Sequence, residues 1–221
     1  MLNTLLLSRA DSTGGKSNHS RAIASLAVRS LASISLAVCL APASQAAQTQ
    51  APSSIYELLA AQGAADEQSR VNAINATLNL LTYTNDDKKW GKPDYWATPR
   101  EALLNDGGDC EDFAISKYFI LRGLGIEEDK LQMMYTNVPS AGEAHMVLTY
   151  QPDQGSSPLV LDNMKNDVLP TEKRPELVPI YSFNREGIWS QKREDRGRYV
   201  GSSKQHKTWT EFLERMNLSN R

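Results

Sequence analysis

The spacing of apolar residues changes period once along this chain. Over 65–81, Val71, Ile74, Leu78 and Leu81 recur every three to four positions, which predicts an amphipathic helix that Asn85-Asp86-Asp87 ends. Ahead of it, Ser54 with Glu57 three residues on forms a capping-box pattern and predicts a helix over 55–61. Thr98-Pro99-Arg100-Glu101 is a second capping box, with Pro at the first helical position, opening a short helix through Leu104. Asn105-Asp106-Gly107-Gly108 is a turn signal. The next stretch, 109–123, crowds acids at its start, places Arg122 near its end and finishes at Gly123. That is the charge and glycine asymmetry of a helix, and its long apolar side chains mark it as the central core helix, with Cys110 in the first turn. After Gly125 the period becomes that of strands, over 131–136, 145–150 and 159–162, with a hairpin-like turn at 151–158. The mixed region 166–200 predicts one or two further strands, near Ile180 and Tyr199. Thr208 to Glu211 is a third capping box, opening a C-terminal helix. Helices first and strands after give an α+β class in one domain.

The first 46 residues read differently. Arg9, Lys16, Arg21 and Arg29 precede an apolar run from Leu31 to Leu40, and two small-x-small patterns follow, ending at Ala46. A basic n-region, a short apolar h-region and a small-residue site define a secretory signal over 1–46, leaving a domain over 47–221. The alternative is an uncleaved anchor, but the run is shorter than the ~20 apolar residues a bilayer requires. Removing four bases and one acid from the 24 and 26 present leaves a net charge near −5. A mildly acidic chain without a basic stripe excludes nucleic-acid binding as the main role.

Of two cysteines, Cys39 leaves with the signal and Cys110 remains. A lone cysteine in an exported chain cannot close an internal disulfide, which points to a working thiol or an intermolecular bridge. The free N–H groups and dipole of a helix mouth favour a thiolate, and the Cys110 N–H is a candidate oxyanion donor. The sequence does not place a second donor; Trp96 and its neighbours are candidate sources. Two histidines lie beyond residue 46. His206, in a polar stretch, reads as surface, whereas His145 opens an apolar strand and is placed to act as base. Asp162, ending the apolar run Leu159-Val160-Leu161, is the expected orienting group, with Asn163 as alternative. Asp109, Glu111 and Asp112 surround the thiol and would raise its pKa. Either they point outward as first-turn acids or they hold a cation, and an oxygen-rich shell of this kind suits Ca²⁺. Trp189 and Trp209 read as core aromatics.

Gly107-Gly108-Asp109-Cys110-Glu111-Asp112-Phe113-Ala114, with Lys117-Tyr118, resembles the bacterial transglutaminase-like cysteine proteinases. Ala144 to Leu148, Val160 to Asn163 and Tyr181 to Asn184 extend the likeness. The resemblance implies a papain/transglutaminase-like fold: N-terminal helices and a central helix carrying the cysteine, packed on an antiparallel sheet. It implies a Cys110–His145–Asp162 triad and calcium held by Asp109, Glu111 and Asp112. It further implies a periplasmic endopeptidase that cuts the N-terminal region of a giant surface adhesin, releasing it and dispersing a biofilm. An inner-membrane receptor for cyclic di-GMP would be its inhibitory partner. Two other classes remain open on the residues alone: a transglutaminase-type acyl transferase, and a non-catalytic calcium-dependent binding module.

Overall fold

The structure, a computed structural model, describes residue 61 and residues 65–192 and 195–217. The signal segment and nearly all of the 55–61 helix lie outside the described residues. The first described helix, α1 (Glu67–Leu78), starts two residues later than its periodicity suggests. Asp66 caps it, accepting the Ser69 N–H at 2.9 Å, and it buries Val71, Ile74 and Leu78. A two-residue strand β1 (Thr82–Tyr83) follows, then the single-turn helix α2 (Asp86–Lys89). Asn85-Asp86-Asp87 therefore opens a helix and does not close the first one, which ends earlier, at Leu78 with Asn79 as its cap. Helix α3 (Pro99–Leu104) carries the expected capping box, in which Thr98 and Glu101 bond each other's backbone N–H.

Gly107 and Gly108 form β2, which runs parallel to β1 and pairs Tyr83 with Gly108. Both glycines are required there. Gly107 has φ +97°, and a Cβ on it would meet the Thr82 carbonyl oxygen at 2.2 Å. A Cβ on Gly108 would lie 1.9 Å from the Asp112 carboxylate. This close approach brings Tyr83 beside the mouth of α4 (Cys110–Gly123), the central helix.

The remaining strands are β3 (Leu131–Val138), β4 (Glu143–Tyr150), β5 (Leu159–Asp162), β6 (Lys165–Pro170), β7 (Val178–Phe183), β8 (Ile188–Lys192) and β9 (Asp195–Gly201). They form one antiparallel sheet in the order β6-β5-β4-β3-β7-β8-β9. The sheet after β5 thus holds four strands where the sequence suggested one or two. β6 carries three exposed residues in succession, and β7 alternates only in its first half, so apolar periodicity marks them weakly. Helix α4 lies on the sheet, burying Phe113, Ile115, Tyr118 and Leu121 in the main core with Met133, Leu148 and Phe183. The last helix, α5 (Lys207–Arg215), adds Trp209 and Phe212 to that core. Trp189 is not core: it is half-buried on β8 against Tyr199. No helix among the described residues is long and apolar enough to cross a membrane.

Gly107→Ala should lower stability by about 2–4 kcal/mol, from left-handed strain plus the clash with Thr82, measured by denaturant unfolding.

Candidate active site

The mouth of α4 and the start of β4 face one cleft of about 450 Å³ lined by both Cys110 and His145. Cys110 is the first residue of α4, half-buried, and donates its thiol hydrogen to Glu111 Oε2 at 3.0 Å. The backbone amide of Met146, the residue after His145, also bonds the sulfur. The sulfur therefore rests against β4 beside the histidine. Burial pushes the thiol pKa up, Glu111 adds to that rise, and the Met146 amide opposes it.

Antiparallel pairing of β4 with β5 brings His145 to Asp162. His145 Nε2 lies 2.9 Å from Asp162 Oδ1. With Nε2 engaged, Nδ1 is the ring nitrogen left to exchange a proton with the cleft. Asp162 is buried and fully partnered. Oδ1 also accepts the Met164 N–H at 3.0 Å, and Oδ2 accepts Arg174 Nη2 at 2.5 Å. Burial alone would raise this carboxyl, but the bonds and charges of His145 and Arg174 hold it well below the usual range. Arg174 Nε bonds Glu176 at 2.6 Å, and Glu176 also receives Lys165 at 3.0 Å. Asn79, the C-cap of α1, donates to the Asp162 carbonyl at 2.8 Å. Asn163 makes no bond to His145, so the alternative acceptor is not the one the fold uses.

The acids do not simply point outward. One carboxylate oxygen from each of Asp86, Asp109 and Asp112 lies within 4.8 Å of the others, and the same holds for Asp86, Asp94 and Glu111. Asp86 Oδ1, Asp109 Oδ1 and Asp112 Oδ2 are buried without a hydrogen-bond partner. Such oxygens are costly to leave bare, and their convergence fits a hard cation. The three acids expected from the sequence thus fall in overlapping groups, Asp109 lying with Asp112 in one and with Glu111 and Cys110 in another, and sequence reading missed Asp86 and Asp94. The segment 95–97 closes this region with donors. The Tyr95 N–H bonds Asp86, the Trp96 side chain bonds Asp94, and the Ala97 N–H bonds Asp112 at 2.6 Å. These groups face carboxylates.

His206 also departs from its surface reading. It lines the cleft and caps α5, accepting the Trp209 N–H at Nδ1, while Nε2 lies 3.1 Å from the Tyr181 hydroxyl. The helix starts at Lys207, before the Thr208 box, because this imidazole serves as the cap. Trp96 and Phe183 pack on its ring, at centroid distances of 5.4 and 4.6 Å. A second cavity of about 470 Å³ shares Cys110 and His145 with this cleft and has Val138, Ala141 and Met164 in its wall.

A thiol at the mouth of a core helix, set against an antiparallel sheet that bears a carboxylate-braced histidine, is the architecture of papain-like and transglutaminase-like thiol enzymes. The chain belongs to the bacterial transglutaminase-like cysteine proteinase (BTLCP) family, whose model matches residues 43–196. Among solved structures it is similar to Legionella pneumophila LapG, with 35% identity over 74% of this chain and 86% of that chain, at a TM-score of 0.65. The EGTA-treated form of LapG gives 36% identity, 74% and 86% coverage and a TM-score of 0.65. The calcium-bound form gives 34%, 74%, 87% and 0.64. No curated protein matches the chain.

Arg174→Met strips a cation from a buried carboxylate, and should cost about 3–5 kcal/mol of stability by denaturant unfolding. A loss under 1 kcal/mol would show that Asp162 does not depend on the guanidinium.

Proposed function

We propose that this chain is a periplasmic, calcium-dependent cysteine endopeptidase with Cys110 as nucleophile, His145 as base and Asp162 as orienting acid. The observation that carries it is a helix-mouth sulfur in the same cleft as an imidazole already held at 2.9 Å by a buried carboxylate. Cys110 gives its proton to His145 Nδ1 and attacks the scissile carbonyl, forming an S–C bond. The imidazolium then protonates the departing amine, and the acyl group remains as a thioester. His145 next takes a proton from water, hydroxide adds to the thioester, and the carboxylic product leaves as the thiol regains its proton. Asp162 keeps Nε2 protonated and steadies the imidazolium throughout. The Cys110 N–H, at the open end of α4, is aimed to receive the oxyanion.

Asp86, Asp109 and Asp112, with Asp94 and Glu111 beside them, are the residues that would hold calcium. Bound there, it supplies positive charge that offsets the carboxylates around the thiol. The bare buried oxygens support this, as does the existence of calcium-bound and EGTA-treated forms of LapG. The substrate we propose is the N-terminal region of a large surface adhesin, whose release promotes biofilm dispersal. The regulator we propose is an inner-membrane cyclic di-GMP receptor that holds the enzyme inactive. Both rest on the motif resemblance, and the periplasmic site rests on the signal-like pattern of 1–46.

Incubation with the N-terminal region of a co-encoded adhesin should give two fragments, identified by terminal sequencing. Cys110→Ala should abolish the cut while leaving the melting temperature within a few degrees of wild type. Undiminished cleavage by that variant would end the proteinase reading.

Calcium has its own signature. Burial, reinforced by Glu111, pushes the Asp109 carboxyl up to about 9, and burial pushes Asp112 up to about 7 against the Ala97 hydrogen bond, from a usual 3.8. The metal-free fold therefore holds protons that the unfolded chain has lost. Its stability from these groups is present below about pH 4 and falls as pH rises towards 9. Calcium should raise the melting temperature more at pH 8 than at pH 5, read by scanning calorimetry with and without EGTA. An equal shift at both pH values would remove these aspartates from the site.

A further inference from the structure

A carbonyl attacked by Cys110 needs two donors for its oxyanion, and only the Cys110 N–H is in view on α4. The donors of 95–97 already face Asp86, Asp94 and Asp112. The Met146 amide faces the sulfur itself. The Tyr181 hydroxyl is engaged with His206.

Tyr83 is placed differently. It borders both cavities, the acidic one and the apolar one, and shares that double position with Cys110, Ala144 and His145. A peptide lying across the sulfur must pass from one cavity to the other, so its scissile carbonyl sits where these four residues meet. The backbone of Tyr83 is fixed beside the nucleophile. β1 pairs Tyr83 with Gly108, two residues before the nucleophile, and the Thr84 N–H bonds the Gly108 carbonyl at 2.8 Å. Tyr83 as a residue is 54% exposed and borders both cavities. Burial of the phenol, with the sulfur of Cys110 as the next influence, pushes its pKa up to about 12, and it keeps its proton at neutral pH.

We propose that the Tyr83 hydroxyl is the second oxyanion donor, completing the hole with the Cys110 N–H. This rests on the thiol-proteinase reading above. As the S–C bond forms, the carbonyl π pair moves onto oxygen. The phenol donates a hydrogen bond to that oxygen and keeps its proton. When the intermediate collapses the pair returns, the leaving group departs, and Tyr83 is unchanged.

Two electrophiles separate this role from general support of the thiol. p-Nitrophenyl acetate acylates the sulfur through an oxyanion and releases nitrophenolate. Iodoacetamide alkylates the sulfur by displacing iodide from a saturated carbon, without an oxyanion. Tyr83→Phe should slow acylation on the order of 10²-fold and leave the alkylation rate within twofold of wild type. The unchanged alkylation also reports an intact fold and site. Acylation within twofold of wild type would overturn the proposal, and so would a parallel fall in both rates. Loss of acylation in Tyr135→Phe with none in Tyr83→Phe would overturn it by placing the donor on β3. A wild-type protein that alkylates at Cys110 but never acylates would overturn the proteinase reading itself, and this assignment with it.

Discussion

Five carboxylates, Asp86, Asp94, Asp109, Glu111 and Asp112, crowd the mouth of the central helix, and three of them present buried oxygens with no partner. Like charges at such range in a medium of low polarity cannot all ionise together. The thiol is drawn into the same balance, since it lies 3.0 Å from Glu111. A helix mouth favours a thiolate, but here the side chains around it oppose one. The reactivity of Cys110 is therefore decided by what neutralises its neighbours more than by its own position. The backbone accepts this arrangement because Gly108 lets the Asp112 carboxylate come within a distance no other residue would permit.

The histidine side of the cleft is built on the opposite rule. His145, Asp162, Arg174, Glu176 and Lys165 alternate in charge and are linked by bonds of 2.5 to 3.0 Å. Each buried member has a partner, so burial strengthens the chain of contacts instead of straining it. The cleft thus joins an acidic half with bare buried oxygens to a satisfied half, which fixes the orientation of the imidazole. The thiol lies on the seam between them.

The parts of this design that follow local rules were legible in the sequence. Gly107-Gly108, the first-turn acids and Gly123 announce a helix with Cys110 at its start. A shortage of histidines and the apolar runs before Asp162 and after His145 pick out the other two. The family motif added the antiparallel sheet and the expectation of a cation. Contacts that join distant segments were not legible. Asp86 looks like a helix terminator, and only the pairing of Tyr83 with Gly108 turns its segment toward Asp112. Arg174 sits in a stretch without periodicity, 12 residues past the carboxylate it grips. His206 lies in a run of polar residues, and its burial comes from Trp96, Tyr181 and Phe183, each contributed by another part of the chain. Polar, exposed β6 and the edge strand β9 lack the alternation that marks a strand half-sunk in a core.

Two amides, one in α1 and one at its C-cap, carry a consequence for the order in which the site assembles. Asn79 grips the Asp162 carbonyl across 83 residues, and Asn75 holds the carbonyls of Lys165 and Asn166 across 90 and 91. Closing loops of that length is slow and is not rewarded until the sheet between them has formed. The support that α1 gives to the strand end carrying Asp162 consequently closes late in folding. Before α1 docks, His145 and Asp162 already face each other across one antiparallel pair of strands, but the end of β5 lacks the amide grip that fixes it in place.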